Sequence, residues 1–171
     1  MNAQPTSVEQ SVTGVQVGFL GVWLNNETKL SNSVALRAEL GFDSTIWGGS
    51  YYKRTGFLLT PVLTLEPRWY YNLNKRVEKS KRIDGNSGNF FSLKTSYHPD
   101  WFLISNYENQ QIVSDVSIVP TWGIRRNIGN HFNYETGIGV GYRYLFLKRD
   151  GFEENDHDAA LNLHLRIGYK F

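Results

Sequence analysis

The chain has 171 residues, with 16 glycines, 15% aromatic residues, one methionine and no cysteine. That length suffices for one domain with a sizeable interior, and the lack of thiols excludes disulfides and thiolate metal sites. A net charge of +2, with no lysine/arginine run interleaved with aromatics, gives no sign of a nucleic-acid partner.

The sequence opens MNAQPTSVEQ, which lacks the basic and apolar regions of an intact signal peptide. The NAQ after Met1 reads as the tail of a cleaved export signal, or as a plain start. Residues 1–12 are taken as an N-terminal segment, either the end of a signal region or a short first strand, and 13–171 as one β-domain. No apolar run approaches the roughly 18 residues of a membrane helix. That leaves open a membrane-spanning β-structure, whose strands are only half hydrophobic.

Seven segments alternate, or nearly so, at the two-residue period of a strand. The first spans about Val12 to Leu24. Val15, Val17, Phe19 and Trp23 share one parity, but Leu20, Val22 and Leu24 blur the other. The second, Ser33 to Asp43, sets Val34, Leu36, Ala38, Leu40 and Phe42 against Ala35, Arg37, Glu39 and Gly41. The third, Gly56 to Asn72, sets Phe57, Leu59, Leu63, Leu65, Trp69 and Tyr71 against Thr60, Thr64, Glu66 and Arg68. Its prolines, Pro61 and Pro67, are expected to force bulges or an unpaired register.

The fourth segment, Asn89 to His98, opposes Phe91, Leu93 and Tyr97 to Ser92, Lys94 and Ser96. The fifth, Ile112 to Arg126, opposes Val116, Ile118, Trp122 and Ile124 to Asp115, Ser117, Thr121 and Arg125. The sixth, Phe132 to Phe146, opposes Phe132, Tyr134, Ile138, Val140, Tyr142 and Tyr144 to Glu135, Gly137, Gly139, Gly141 and Arg143. In the seventh, Ala160 to Phe171, Leu161, Leu163, Leu165, Ile167, Tyr169 and Phe171 oppose Asn162, His164, Arg166, Gly168 and Lys170. No helix-period segment of useful length interrupts this series.

Short Asn/Gly-rich connections, NNETKLSN and RNIGNH, alternate with longer polar ones at Asp43–Thr55, Pro99–Gln111 and Leu147–Asp158. The basic stretch LNKRVEKSKRIDGNSG falls on the short side and breaks the rule. All-β alternation with unequal connections implies a closed antiparallel up-and-down β-barrel of eight strands, seven of them readable. The eighth is expected from residues 1–12, for which SVEQSV is the candidate, or else the N-terminus starts outside or in the lumen.

Alternation alone does not say which face is buried. A soluble lipocalin-like binding barrel turns its apolar face inward, whereas a membrane barrel turns it to lipid. Here the polar faces carry Arg37, Glu39, Glu66, Arg68, Lys94, Asp115, Arg125, Glu135, Arg143 and Arg166, interspersed with glycines. Ions of both signs beside small residues suit a narrow lumen. On the apolar faces, Trp69, Tyr71, Trp122, Phe132, Tyr134, Tyr169 and Phe171 gather near the short turns. Tyr97, Tyr142, Tyr144 and Phe146 gather near the long loops. Two such bands fit the girdles of a membrane barrel.

The last strand, with apolar residues alternating up to Tyr169 and Phe171, resembles the C-terminal signal of bacterial outer-membrane proteins. With EPRWYYNLNKR and NHFNYETGIGVGYRY, the pattern resembles the small outer-membrane β-barrel family, close to the OmpA-type membrane domain. The resemblance covers nearly all of the chain after Val12. It implies a bacterial outer-membrane location and contact with outer-membrane lipids, including lipopolysaccharide. It also implies recognition of Tyr169 and Phe171 by the barrel-assembly machinery.

The interior set Arg37, Glu39, Glu66, Arg68, Lys94, Glu135, Arg143 and Arg166 is expected to form a paired charge network that fills the lumen. A selective pore or proton path is the competing reading. Catalysis is not expected, nor a cofactor or metal. A lipid-modifying enzyme would need serine and histidine reachable from the bilayer, but Ser92, Ser96, Ser117, His98 and His164 take inward parity, while His131 and His157 fall in connections. Asp150, Glu153, Glu154, Asp156 and Asp158 form an acidic loop without the regular spacing of a calcium loop. Lys75, Arg76, Lys79, Lys81 and Arg82 read as a solvated turn, with headgroup or periplasmic contact as the alternative. Trp47, Tyr51, Tyr52, Trp101 and Tyr107 offer aromatic contact area for a protein partner at the loops. The expected role is therefore structural or interactive, with a narrow channel as the alternative.

Overall fold

Alternating side chains dictate strands, and strands must satisfy their backbone groups sideways. The computed structural model, which describes residues 6–47, 55–107, 112–150 and 154–171, does this in one antiparallel sheet. Its strands are β1 (Ser11–Gly18), β2 (Gly21–Lys29), β3 (Val34–Trp47), β4 (Gly56–Tyr70), β5 (Asn89–His98), β6 (Ile104–Ser105), β7 (Asp115–Ile128), β8 (Phe132–Leu145) and β9 (Asp156–Lys170). Chain neighbours pair, with β5 passing directly to β7, and β9 pairs with β1 from Gly14–Lys170 to Gly18–Arg166. The hydrogen bonds thus close into a ring. Strand β6 stands beside it, pairing two residues with Leu58 and Leu59 of β4.

The extra strand corrects the expected source of an eighth. The segment Val12–Leu24 is two strands joined through Phe19 and Leu20, with Gly18 opposite Gly21. Gly21 has φ +147°, and a Cβ there would lie 2.0 Å from the Phe42 carbonyl oxygen, so the turn needs glycine. Crossing this turn reverses parity. Val17 and Val22 face each other on the outside, while Gln16 and Trp23 pair on the inside. The blurred alternation is the trace of that reversal. Asn25–Lys29, expected in a turn, belongs to β2, and the turn itself is only Leu30–Ser33. The β1–β2 turn is short and lies at the long-loop end, so short and long connections do not strictly alternate.

Pro61 stays paired with Phe42, whereas Pro67 and Pro120 cause gaps without bulges. Pairing of β4 with β5 skips Glu66 and Pro67, yet Leu65–Thr95 and Arg68–Ser92 stay in one register. Pro120 does the same between β7 and β8, where Ile118–Tyr142 and Thr121–Gly139 keep step. Each ring lacks an N–H toward one neighbour only. Strands β3 and β9 also run past their expected ends, with Ser44–Trp47 opposite Gly56–Leu59 and β9 starting at Asp156.

One end of the ring is closed. The basic connection after β4 folds into a short helix α1 (Leu73–Glu78) and a 3-10 turn at Asp84–Asn86. Leu73 packs with Val8, Ala35, Tyr70 and Phe90, joined by Ile83, in a small apolar core. Gly85–Gly88 are buried, and Asn86 accepts the Glu9 N–H at 2.9 Å. The Lys75–Arg82 stretch remains mostly exposed, with Arg82 holding Asp84 at 2.7 Å.

Candidate functional site

Inward parity brings carboxylates and guanidinium groups from several strands to one level of the ring. Glu27 on β2 is at its centre. Its Oε1 lies 3.2 Å from Arg37, 3.1 Å from Arg68 and 2.7 Å from Arg125. Its Oε2 accepts from the Tyr70 hydroxyl at 2.9 Å and Asn86 Nδ2 at 2.8 Å. Glu135 receives Arg68 through two parallel bonds of 2.8 Å and Arg125 at 2.8 Å. Glu66 takes Arg68 at 2.7 Å and the Ser92 hydroxyl at 2.5 Å. Glu39 binds Arg37 and, at 2.8 Å, Arg166.

This floor therefore joins four glutamates, Glu27, Glu39, Glu66 and Glu135, to four arginines, Arg37, Arg68, Arg125 and Arg166. All eight are buried. Equal numbers matter, because an ion taken from water without a partner costs several kcal/mol. Aromatic faces complete the packing: the Arg68 guanidinium lies 4.2 Å over the Phe90 ring and that of Arg166 3.8 Å over Trp23. Gln16 accepts from Arg37 at 2.6 Å.

Six of the eight expected network residues, Arg37, Glu39, Glu66, Arg68, Glu135 and Arg166, meet here. Lys94 borders the group with no ion pair among the described residues, and Arg143 stands apart near the loop end, donating to Asp158 at 3.1 Å. Glu27, Gln16, Tyr70 and Asn86 were absent from the expected set, and Arg125 was recognised only as inward-facing.

Above the floor the ring opens into a cavity of about 520 Å³, lined by Trp23, Lys94, His98, Asp115, Asn162 and Arg166 among others. His98 faces Asp115 through Nδ1 at 3.1 Å and Asp43 through Nε2 at 3.0 Å. A ring protonated on both nitrogens donates to both. Trp23 Nε1 donates to the other Asp43 oxygen at 2.8 Å. This cluster ties β2, β3, β5 and β7 together at the cavity wall.

Two of the inward serines are engaged elsewhere than with histidine, Ser92 with Glu66 and Ser96 with Thr64 at 2.9 Å, and Ser117 lines the cavity described above. Among the described residues no group of three or more His, Asp or Glu is placed to hold a metal ion. Of the acidic loop, Glu153 lies outside the described residues, and Asp158 serves Arg143. Tyr51 and Tyr52 also lie outside them, while Trp101 is exposed and Tyr107 half-buried.

The outer surface reverses the usual polarity of a protein. Val140 is 65% exposed, Leu161 70% and Leu163 61%, whereas Arg37, Glu27 and Glu135 are each at 0%. At the closed end Tyr71 and Phe91 have ring centroids 5.3 Å apart, and the Tyr71 hydroxyl accepts from Trp122 Nε1 at 2.9 Å. There too Tyr169 meets Phe132 at 5.3 Å and Phe171 at 5.7 Å. At the other end Tyr144 meets Phe146 at 5.2 Å. One outward patch is polar, where Asn26 donates to Ser11 and Thr13.

No protein-family model, curated protein or solved structure matches the chain.

Proposed function

We propose that the protein is a small bacterial outer-membrane β-barrel with a closed, charge-filled lumen, acting as a structural or interaction element through its loops and not as an enzyme. The observation that carries this reading is the inversion of polarity. Apolar side chains on the outside of the ring stand exposed, while eight ionised side chains fill the inside. In water that belt would cost roughly 25 cal/mol for every Å² left uncovered, and in a bilayer it costs nothing. A ring of hydrogen bonds without a free edge is also what a lipid environment demands of β-structure.

The aromatic clusters at the two ends suit girdles at the membrane–water interfaces. On this reading the outer surface contacts outer-membrane lipids and lipopolysaccharide. Strand β9, apolar on alternate residues up to Tyr169, is the segment presented to the barrel-assembly machinery. Exposed Trp101, Phe102 and Ile104 provide the loop surface for a protein partner.

Accessibility labels test the proposal. The chain has no cysteine, so single cysteines at Leu63 and Thr64 carry spin labels without background. A lipid-soluble relaxation agent should broaden the Leu63 label and spare Thr64; the opposite order would reverse the faces and sink the membrane assignment. In planar bilayers the ion-paired floor should keep the protein electrically silent. Steady conductance of hundreds of picosiemens would replace the closed barrel with the channel reading.

A further inference from the structure

We propose that the cavity above the floor is a binding site for a small hydroxylated organic anion, such as a sugar acid, anchored by Lys94. Among the described residues Lys94 is a cation with no ion-pair partner. The register that brackets it, Leu65 opposite Thr95 and Arg68 opposite Ser92, sets Glu66 beside Lys94. Yet Glu66 turns one oxygen to Arg68 and the other to Ser92. Glu39 is held by Arg37 and Arg166, and Asp43 by His98 and Trp23. Glu66 and Asp43 thus engage other donors through both oxygens and Glu39 through Oε1, and none of the three lies within ion-pair distance of Lys94 among the described residues. Lys94, whose ammonium is a strongly hydrated cation with three donors, lines the cavity.

The lining matches this charge. Lys94, Arg143, Arg166 and the doubly hydrogen-bonded His98 line the wall, and of these Arg143 is paired with Asp158 and Arg166 with Glu39, which leaves Lys94 as the cation without an ion pair among the described residues. The lining carboxylates, Asp43 and Asp115, are the two that His98 already bridges. Thr60, Ser96, Ser117 and Asn162 add neutral hydrogen-bonding groups, the partners that ligand hydroxyls need. A volume of about 520 Å³ falls within the range of small-molecule sites. Because the floor is closed, a ligand entering from the loop end would stay there and not pass through. The site requires the folded ring and not the bilayer, so it stands or falls separately from the membrane assignment.

The test uses the full chain refolded in detergent micelles, with D-glucuronate as the probe and methyl glucoside as its uncharged counterpart. Calorimetry should show saturable glucuronate binding and none with methyl glucoside. Lys94→Met should weaken that binding at least about tenfold, as expected for losing one charge-assisted hydrogen bond, whereas Lys79→Met on the closed end should not. In parallel, reductive methylation of the wild-type chain, mapped by mass spectrometry, should be slowed at Lys94 by glucuronate and unchanged at Lys79 and Lys81. This second readout needs no variant that must fold. The proposal is overturned by absent glucuronate binding to the folded ring, by equal binding of the neutral sugar, or by binding that leaves Lys94 unprotected.

Discussion

Glu27→Gln is the sharpest perturbation of the floor, because five donors from five residues converge on this one carboxylate. The amide keeps the shape but removes the charge, and it turns an N–H₂ toward groups that are themselves donors. Four carboxylates facing four guanidinium groups become three facing four. Removing one partner of a buried ion pair costs about 3–5 kcal/mol. With a urea slope of about 2 kcal/mol/M for a small protein, the unfolding midpoint should fall by about 2 M. The assay is urea unfolding of refolded protein in micelles, followed by tryptophan fluorescence and by the heat-dependent shift on gels. Glu154→Gln, on an exposed side chain, is the control and should move the midpoint by no more than about 0.25 M, as surface changes within about 0.5 kcal/mol do. If Glu27→Gln shifts no further than this control, the floor does not hold the ring together and the accounting of charges is wrong.

Arginine placed at Leu63, Ile138 or Val140 should impair insertion into bilayers by about 2–4 kcal/mol, the cost of a charge on a lipid face near mid-membrane; normal folding yields in vesicles would contradict it. Gly123→Ala should destabilise the ring by about 1–3 kcal/mol through overpacking, since a Cβ there would meet the Phe90 ring at 2.3 Å. Adding Phe90→Leu should recover part of that loss, and a double mutant as weak as the sum of the singles would show that the clash lies elsewhere. Asp84 accepts from Arg82, at 2.8 and 2.7 Å, and from Asn127 at 2.7 Å, and these bonds, that of Arg82 foremost, hold its carboxyl below the ordinary value of 3.8. A lowered folded value contributes stability that is present above the unfolded value and is lost as pH falls through the folded one. Side-chain NMR titration should therefore find Asp84 ionised below pH 3.8, and Arg82→Gln should raise its midpoint; an unmoved midpoint would remove the Arg82 bond as the cause.

Most strands were legible because each has one face that is almost purely apolar. Leu161, Leu163, Leu165 and Ile167 could only share a side, and Arg166 and His164 the other. The six expected charges met in space for the same reason, since parity and distance from the turns fix a residue's face and level in the ring of strands. Glu27 escaped because that signal fails where it sits. Its outward neighbours Asn26 and Thr28 are polar, so the stretch has the composition of a turn. The two-residue turn at Phe19–Leu20 reverses parity within a run that looks continuous. A glycine on each side of that pair, Gly18 and Gly21, was the available clue to a hairpin. The buried turn Gly85–Ser87 left no such trace. Its burial depends on tertiary contacts with Glu9, Glu27 and Asn127, which no local pattern encodes.

The division of the interior into a packed floor and an open cavity follows from side-chain size. Toward the closed end the inward positions hold Gln16, Glu27, Arg37, Arg68, Tyr70, Phe90, Arg125 and Glu135, large groups that meet across a ring of few strands. Toward the loops Gly41, Thr60, Ser96, Ser117, Gly141 and Ala160 leave room, while the larger Asp43, His98 and Asp115 gather in one cluster at the wall. The glycines there are not free to be larger, since a Cβ on Gly141 would lie 2.1 Å from the Ile118 carbonyl oxygen. Close strand approach thus forces small residues at the wall, and small residues leave volume at the centre. Lys94 stands where the two regimes meet. Below it each glutamate and arginine of the floor has an ion partner; above it the loop-end ions pair with one another, His98 with Asp43 and Asp115 and Arg143 with Asp158. Lys94 is thus left between two sets of ions that are already paired, and a larger side chain at Gly141 would require moving β7 away from β8.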